Sequence, residues 1–221
     1  MSSKTSLLIE QYEIGPLNNF LYLLGDPQTM EMTLVDPAWD VPFLIQQAKK
    51  LSYKITQVFL THAHPDHVNG LDVLLKEFNV PVYISKHEAP FLTAKLKNLI
   101  PIDDHAKLSV GKVGFEVLHA PGHTPGCQIF YLKDNAGTPL AICGDVLFID
   151  GCGRCDLPGG DARTMYHSLT NVVKKLPDNT IVFPGHNYGP TPTDTIGHQK
   201  LTNPYLTCDT EAEFLGERMG I

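Results

Sequence analysis

No stretch of this sequence stays apolar for the roughly 18 consecutive residues that a membrane-spanning helix needs. Positive charge is also scarce. The 221 residues carry 17 Lys and Arg against 24 Asp and Glu, a net charge of -7. That balance removes the electrostatic basis of a general nucleic-acid surface, though it leaves room for a local basic pocket. Cysteines are few and odd in number, at positions 127, 143, 152, 155 and 208. An odd count argues against a disulfide framework and fits a reducing, cytoplasmic setting. The opening MSSKTSLLIEQYEIGP lacks a long apolar core and carries Glu10 and Glu13, so no secretory signal is expected. Low-complexity segments and linkers are missing too. The expectation is one domain over residues 1–221.

What is present is an ordinary globular mixture, 43% hydrophobic and 19% charged, with enough chain to bury a large core. Runs of β-branched and aromatic residues, bounded by Gly, Pro, Asn or Asp, predict strands at 20–24, 33–35, 55–60, 80–84, 114–119, 128–132, 140–143 and 180–183. Apolar residues at helical spacing predict helices over 41–51, 66–79 and 162–176, with a weaker one at 211–218. The stripe Met165, Tyr166, Leu169, Val172, Val173, Leu176 reads as a face packed on a sheet. Helices do not alternate strictly with strands, which favours stacked sheets with helices outside over a βαβ repeat.

The stretch THAHPDHVNG, residues 61–70, packs three histidines and an aspartate into six positions. It follows the strand that ends in Val58, Phe59 and Leu60. His62 and His64 are two apart, so in extended backbone they point the same way. Pro65 stops the strand and suits the first turn of a helix. Asp66 and His67 then fall at the helix entry and face another side. Imidazole and carboxylate together suit Zn, Fe or Mn rather than Cu(I). Burying that much polarity without a cation is costly. Further donors stand at strand ends: His123 in PGHTPG, Asp145 in CGDVLF and His186 in PGHNYG, each preceded by a glycine that allows a tight turn.

HAHPDH resembles the HxHxDH signature of the metallo-β-lactamase superfamily, and His123, Asp145 and His186 follow in that superfamily's order. The resemblance runs from about Asn18 to Pro204. It implies an αββα sandwich, two mixed β-sheets face to face with helices outside and metals at one edge. It also implies two divalent metal ions, most simply Zn2+, with Fe or Mn as alternatives. His62, His64 and His123 would hold the first, Asp66, His67 and His186 the second, and Asp145 would bridge them. Within the superfamily, GDVLFIDGCGRCDLPGGD resembles glyoxalase II (hydroxyacylglutathione hydrolase), its shorter relatives and the persulfide dioxygenases. TIGHQKLTNPYL is similar to the closing segment of the short glyoxalase II-like hydrolases. The chain ends before the helical C-terminal domain that supplies much of full-length glyoxalase II's glutathione contact, so a carrier-bound acyl group fits as well as a glutathione thioester.

The expected activity is thioester hydrolysis by a metal-bound hydroxide, with Asp66 orienting the nucleophile. A thiolate leaves without prior protonation, since thiol pKa values lie near 8.5. The substrate would be an acyl-glutathione, an acyl-CoA or an acyl-carrier protein. The alternative is a mononuclear iron persulfide dioxygenase using His62, His123 and Asp145. The loop GRCDLPGG departs from the usual wording of that class. Around the centre, Arg154, Tyr188 and Lys200 are candidate substrate contacts, each with a plain structural alternative. Asp36, Asn18 and Asn19 are candidate supports for the ligands. The C-x-x-C of Cys152 and Cys155 lies in a Gly-rich loop rather than at a helix start, which speaks against a redox motif.

Overall fold

The computed structural model describes residues 7–92, 96–133 and 138–221. The first half of the chain builds one six-stranded sheet. Its strands lie in spatial order β1 (Leu8–Ile14), β2 (Asn19–Asp26), β3 (Glu31–Val35), β4 (Lys54–Phe59), β5 (Val82–Ser85) and β6 (Leu99–Ile102). The second half builds the other, from β7 (Lys107–Val110) through β8 (Val113–His119), β9 (Gln128–Lys133), β10 (Pro139–Gly144) and β11 (Ile181–Pro184) to β12 (Asp194–Thr195). Both are mixed. In the first sheet β1, β2 and β3 pair antiparallel and β3 to β6 pair parallel. In the second, only the β10–β11 pair is parallel.

Alternation along each strand sorts side chains into three apolar layers. On β2, Phe20, Tyr22 and Leu24 face the space between the sheets while Leu21 and Leu23 face outward. On β10, Leu140 and Ile142 face inward and Ala141 and Cys143 outward. Phe59 centres the inner layer, stacked on Phe130 at 4.9 Å and edge-on to Phe115 at 5.7 Å. Leu21, Leu23 and Val58 pack with Val41, Leu44 and Ala48 of α1 (Val41–Lys50) and with Leu71 and Leu74 of α3 (Leu71–Glu77). Ile129, Ala141 and Val182 pack with Met165 and Leu169 of α4 (Ala162–Asn171) and with Phe214 of α6 (Glu211–Met219). The result is the expected αββα sandwich. Among the described residues no helix is long and apolar enough to cross a membrane.

The helix predicted over 66–79 is two helices, α2 (Pro65–Val68) and α3, separated at Asn69 and Gly70. A β-carbon on Gly70 would come within 2.3 Å of Val41 and 2.8 Å of the Pro37 carbonyl, and the Asn69 side chain accepts from the Trp39 amide. Docking against the loop before α1 therefore breaks the helix. The 162–176 prediction likewise becomes α4 plus a short 3-10 turn, Val173–Lys175. A fifth helix, α5 (Ile196–Thr202), and the strands β1, β6, β7 and β12 carry no sequence-based expectation.

Candidate metal centre

At one end of the sandwich the two sheets are tied together by backbone. The Phe20 amide donates to the Gly185 carbonyl at 2.8 Å, Asn187 to Asn18 at 2.8 Å, and Gln128 to Thr61 at 3.1 Å. This seam brings the histidine-rich stretch after β4 against the loops after β8, β10 and β11. The stretch is extended at His64 (φ -63°, ψ 144°) and turns helical at Pro65, as its composition predicts. Gly144 sits at φ +49°, where an added β-carbon would lie 2.5 Å from Thr61, and one on Gly185 would lie 2.3 Å from Asp145 Oδ1. Both glycines are required for Asp145 to point where it does.

Seven side chains converge there. The ligand atoms of His62, His64 and His123 lie within 4.8 Å of one another, and so do those of Asp66, His67 and His186. Asp145 reaches both groups: Oδ1 is 3.3 Å from His67 Nε2, and Oδ2 is 3.4 Å from His123 Nε2 and 3.3 Å from His186 Nε2. Five of the seven come from loops or strand ends on this seam, and Asp66 and His67 from α2.

The outer hydrogen bonds set the tautomers. His123 Nδ1 donates to the Arg154 carbonyl at 2.7 Å, and His186 Nδ1 to the Leu17 carbonyl at 2.8 Å. His67 Nδ1 faces Asp36 Oδ2 at 3.0 Å. The Thr61 hydroxyl donates to Asp36, which leaves its lone pair to accept from His62 Nδ1 at 3.0 Å. In its neutral form each ring so held turns a bare Nε2 inward. His62 Nε2 and Asp145 Oδ1 are buried with no hydrogen-bond partner. His123 Nε2 lies 2.8 Å from His64 Nδ1, and His67 Nε2 lies 3.2 Å from His186 Nε2. Orphaned acceptors and facing lone pairs in a buried site are unfavourable as they stand and favourable around a cation. The donor set therefore fits divalent metal in two adjoining groups.

The electrostatics agree. Burial, with neighbouring histidines, holds His62 well below its ordinary value and lowers His64 to about 4, so both remain neutral donors. Burial would also lower His67, but Asp145 and Asp36 outweigh it and raise that ring well above its usual range. His186 is raised in the same way by Asp145. Asp145 is itself held well below the carboxylate range, because His67, His186 and His62 outweigh its burial. The cluster draws positive charge inward.

Supporting residues are equally specific. Asp36, at φ +50°, accepts from the Thr61 amide and hydroxyl and faces His67, so the strand-end aspartate does brace the histidines. Asn19 donates to Asp66 Oδ2 at 3.0 Å and accepts from the Trp39 indole at 2.8 Å. Glu88 has no sequence signal at all. It is buried, and its two oxygens accept from the Ala63 amide at 2.9 Å and the Gly126 amide at 2.7 Å, joining the His62–His64 loop to the His123 loop.

Five of the seven, His64, Asp66, His123, Asp145 and His186, floor one end of a cavity of about 510 Å³, whose walls include Leu17, Phe148, Arg154, Tyr188, Tyr205 and Arg218. Tyr188 stacks on His186 at 4.7 Å and is half exposed. Arg154 is on the wall. Lys200 is not: its ammonium turns to Asp178 at 2.6 Å on α5's outer side, so the structure does not bring it to the cavity. Cys152 and Cys155 are free and buried, and burial pushes both thiols up, Cys155 to about 11, which keeps them protonated and unreactive. Arg218 escapes sequence reading because it lies beyond any motif, and Tyr205, although inside TIGHQKLTNPYL, carries no signal of its own there.

The family described as the Metallo-beta-lactamase superfamily matches residues 14–186. The chain is 32% identical over 211 residues to the probable polyketide biosynthesis zinc-dependent hydrolase PksB of Bacillus subtilis, covering 92% of each. It is 33% identical over 197 residues to the mitochondrial persulfide dioxygenase ETHE1 of Homo sapiens, covering 87% of this chain and 73% of that protein. Among solved structures, ETHE1 from Myxococcus xanthus superposes with a TM-score of 0.85 at 30% identity, over 97% of this chain and 92% of that one.

Proposed function

The chain belongs to the metallo-beta-lactamase superfamily, and from that premise we propose that it is a dinuclear metal-dependent thioester hydrolase. His62, His64 and His123 would hold one ion, Asp66, His67 and His186 the other, and Asp145 both. The observation that carries the two-ion reading is the forked reach of Asp145 between two complete donor groups. When bound, such ions supply an acidified water and an electrophile for the substrate carbonyl.

The protein's own residues do the rest. Asn19 holds the Asp66 carboxylate through Oδ2, leaving its other oxygen to orient the attacking water. Asp36, Thr61 and the Arg154 and Leu17 carbonyls fix the ring orientations. Phe148 and Tyr188 pack on His186 and shield it from bulk water. Among the described residues no side chain on the cavity wall is placed as a dedicated acid for an amide nitrogen. A thiolate leaves without one, so a thioester asks least of this site. The resemblance to PksB, a probable zinc-dependent hydrolase of polyketide biosynthesis, supports zinc and a polyketide-type acyl group, and a cytoplasmic location accords with the free, buried thiols.

The identity to human ETHE1 favours one second reading, a persulfide dioxygenase with a single iron held by His62, His123 and Asp145. Metal analysis of protein purified without added metal, combined with acyl-glutathione, acyl-CoA and acyl-carrier-protein turnover, separates the two. The expected result is two zinc equivalents with hydrolysis of at least one ester. One iron with oxygen uptake would establish the second reading, and fully metallated protein inert to every ester would end the first.

A further inference from the structure

Two permanent cations stand on the cavity wall, Arg154 and Arg218, and their situations differ. Arg154 is closed by a bidentate pair to Asp156, Nε to Oδ1 and Nη2 to Oδ2, both 2.7 Å. That fork is already satisfied. Arg218, at the end of α6, is half-buried. Its Nε donates to the Gly153 carbonyl at 3.2 Å, and its guanidinium lies over the Tyr205 ring, 5.6 Å from the centroid. No carboxylate forms an ion pair with it among the described residues. Of the three acids of its own helix, Glu211 pairs with Arg163, Glu213 closes the α6 cap, and Glu217, next to it in sequence, forms no ion pair with it among the described residues.

The carbonyl and the ring hold the guanidinium plane beside the Cys155 thiol, and the nearby Asp156 carboxylate is paired to Arg154 instead. A preorganised, unpaired arginine on a cavity wall is the arrangement that recognises an oxyanion. Arg154 and Arg218 also line a second depression of about 320 Å³ with Asp156 and Met219, so they form the wall shared by two cavities. A long substrate that reacts at the histidines and leaves by this side crosses that wall.

We propose that Arg218, not Arg154, is the anion-recognising residue of the substrate channel, and that it takes a phosphate or carboxylate oxyanion on the thiol carrier. This rests on the thioester reading above. The test compares one acyl group on three thiols: phosphopantetheine (a phosphomonoester), glutathione (two carboxylates) and N-acetylcysteamine (neutral). Metal-loaded wild type, Arg218→Gln, Arg218→Lys and Arg154→Gln are assayed, and free phosphopantetheine and glutathione are titrated calorimetrically into each. Arg218→Gln should lower the preference for anionic over neutral ester by about 10- to 100-fold, through KM, as loss of a charge-assisted contact does. Arg218→Lys should recover part of it, and Arg154→Gln should lower it less. Whichever anionic thiol loses calorimetric affinity in Arg218→Gln identifies the oxyanion. An unchanged preference in Arg218→Gln, or an equal loss on the neutral ester, would overturn the proposal. If wild type hydrolyses no ester, the thioester reading fails, and the calorimetric comparison alone decides the anion site.

Discussion

A single carboxylate can decide how a metal site is built when both of its oxygens are committed. Asp36 takes three donors, the Thr61 amide, the Thr61 hydroxyl and the His67 ring, and through Thr61 it also sets His62. Asp36→Asn would offer an NH2 to donors that need an acceptor, freeing both rings to turn. Metal affinity should fall about 10- to 100-fold, as for other outer partners of ligating histidines, read by competition with a chromogenic chelator. Glu88 acts one step further out, on backbone. Glu88→Gln would set an amide against the Ala63 or Gly126 N–H. It should cost about 1–3 kcal/mol in urea unfolding, with unchanged far-ultraviolet circular dichroism.

Among the elements, Asp26 closes the β2–β3 connection and pins it to the β7–β8 turn of the other sheet. It is buried and accepts from the Gln28 amide at 2.8 Å, the Thr29 hydroxyl at 3.1 Å and the Lys112 amide at 2.8 Å. Burial alone would raise its carboxyl, but these donors outweigh it and hold it below the ordinary 3.8. A depressed folded pKa contributes stability that is complete above the unfolded value and is lost as pH falls through the folded one. Asp26→Ala should therefore be less stable than wild type by about 1–3 kcal/mol at pH 7. The gap should close below about pH 3.8, followed by denaturant titrations across pH.

Elements were legible in proportion to their burial. The eight strands predicted from apolar runs, β2 to β5 and β8 to β11, are the inner strands of the two sheets, with apolar layers on both faces. The four without a sequence signal, β1, β6, β7 and β12, are the four edges. Half-exposed strands such as LIEQYEI mix charge with apolar residues, and LIPI carries a proline that only an edge tolerates. The candidate site shows the same gradient. Donors crowded into HAHPDH or set behind glycine could be read directly. Glu88 and Arg218 could not, because each meets the site only through tertiary packing.

At the scale of the whole molecule, the proposed ions touch both sheets, so they bind the folded state and stabilise it by mass action. At free metal 100 times Kd each contributes about 2.7 kcal/mol, and in a chain of this size a kilocalorie moves Tm by roughly 2–4 °C. Stripping both ions with a chelator should lower Tm by roughly 10–20 °C in a calorimetric scan, and zinc or iron should restore it. An unchanged Tm would mean that no ion of consequence occupies the cluster.

The halving of the chain between the sheets adds a temporal dimension. His62, His64, Asp66 and His67 leave the ribosome with the first sheet, whereas His123, Asp145 and His186 are still to be translated. A nascent chain thus carries part of a chelating set long before the remainder exists: the first donor group waits for Asp145 and the second for His186. Capture of the proposed ions would consequently be a late event of biogenesis, and a product truncated before residue 145 would lack part of both donor groups.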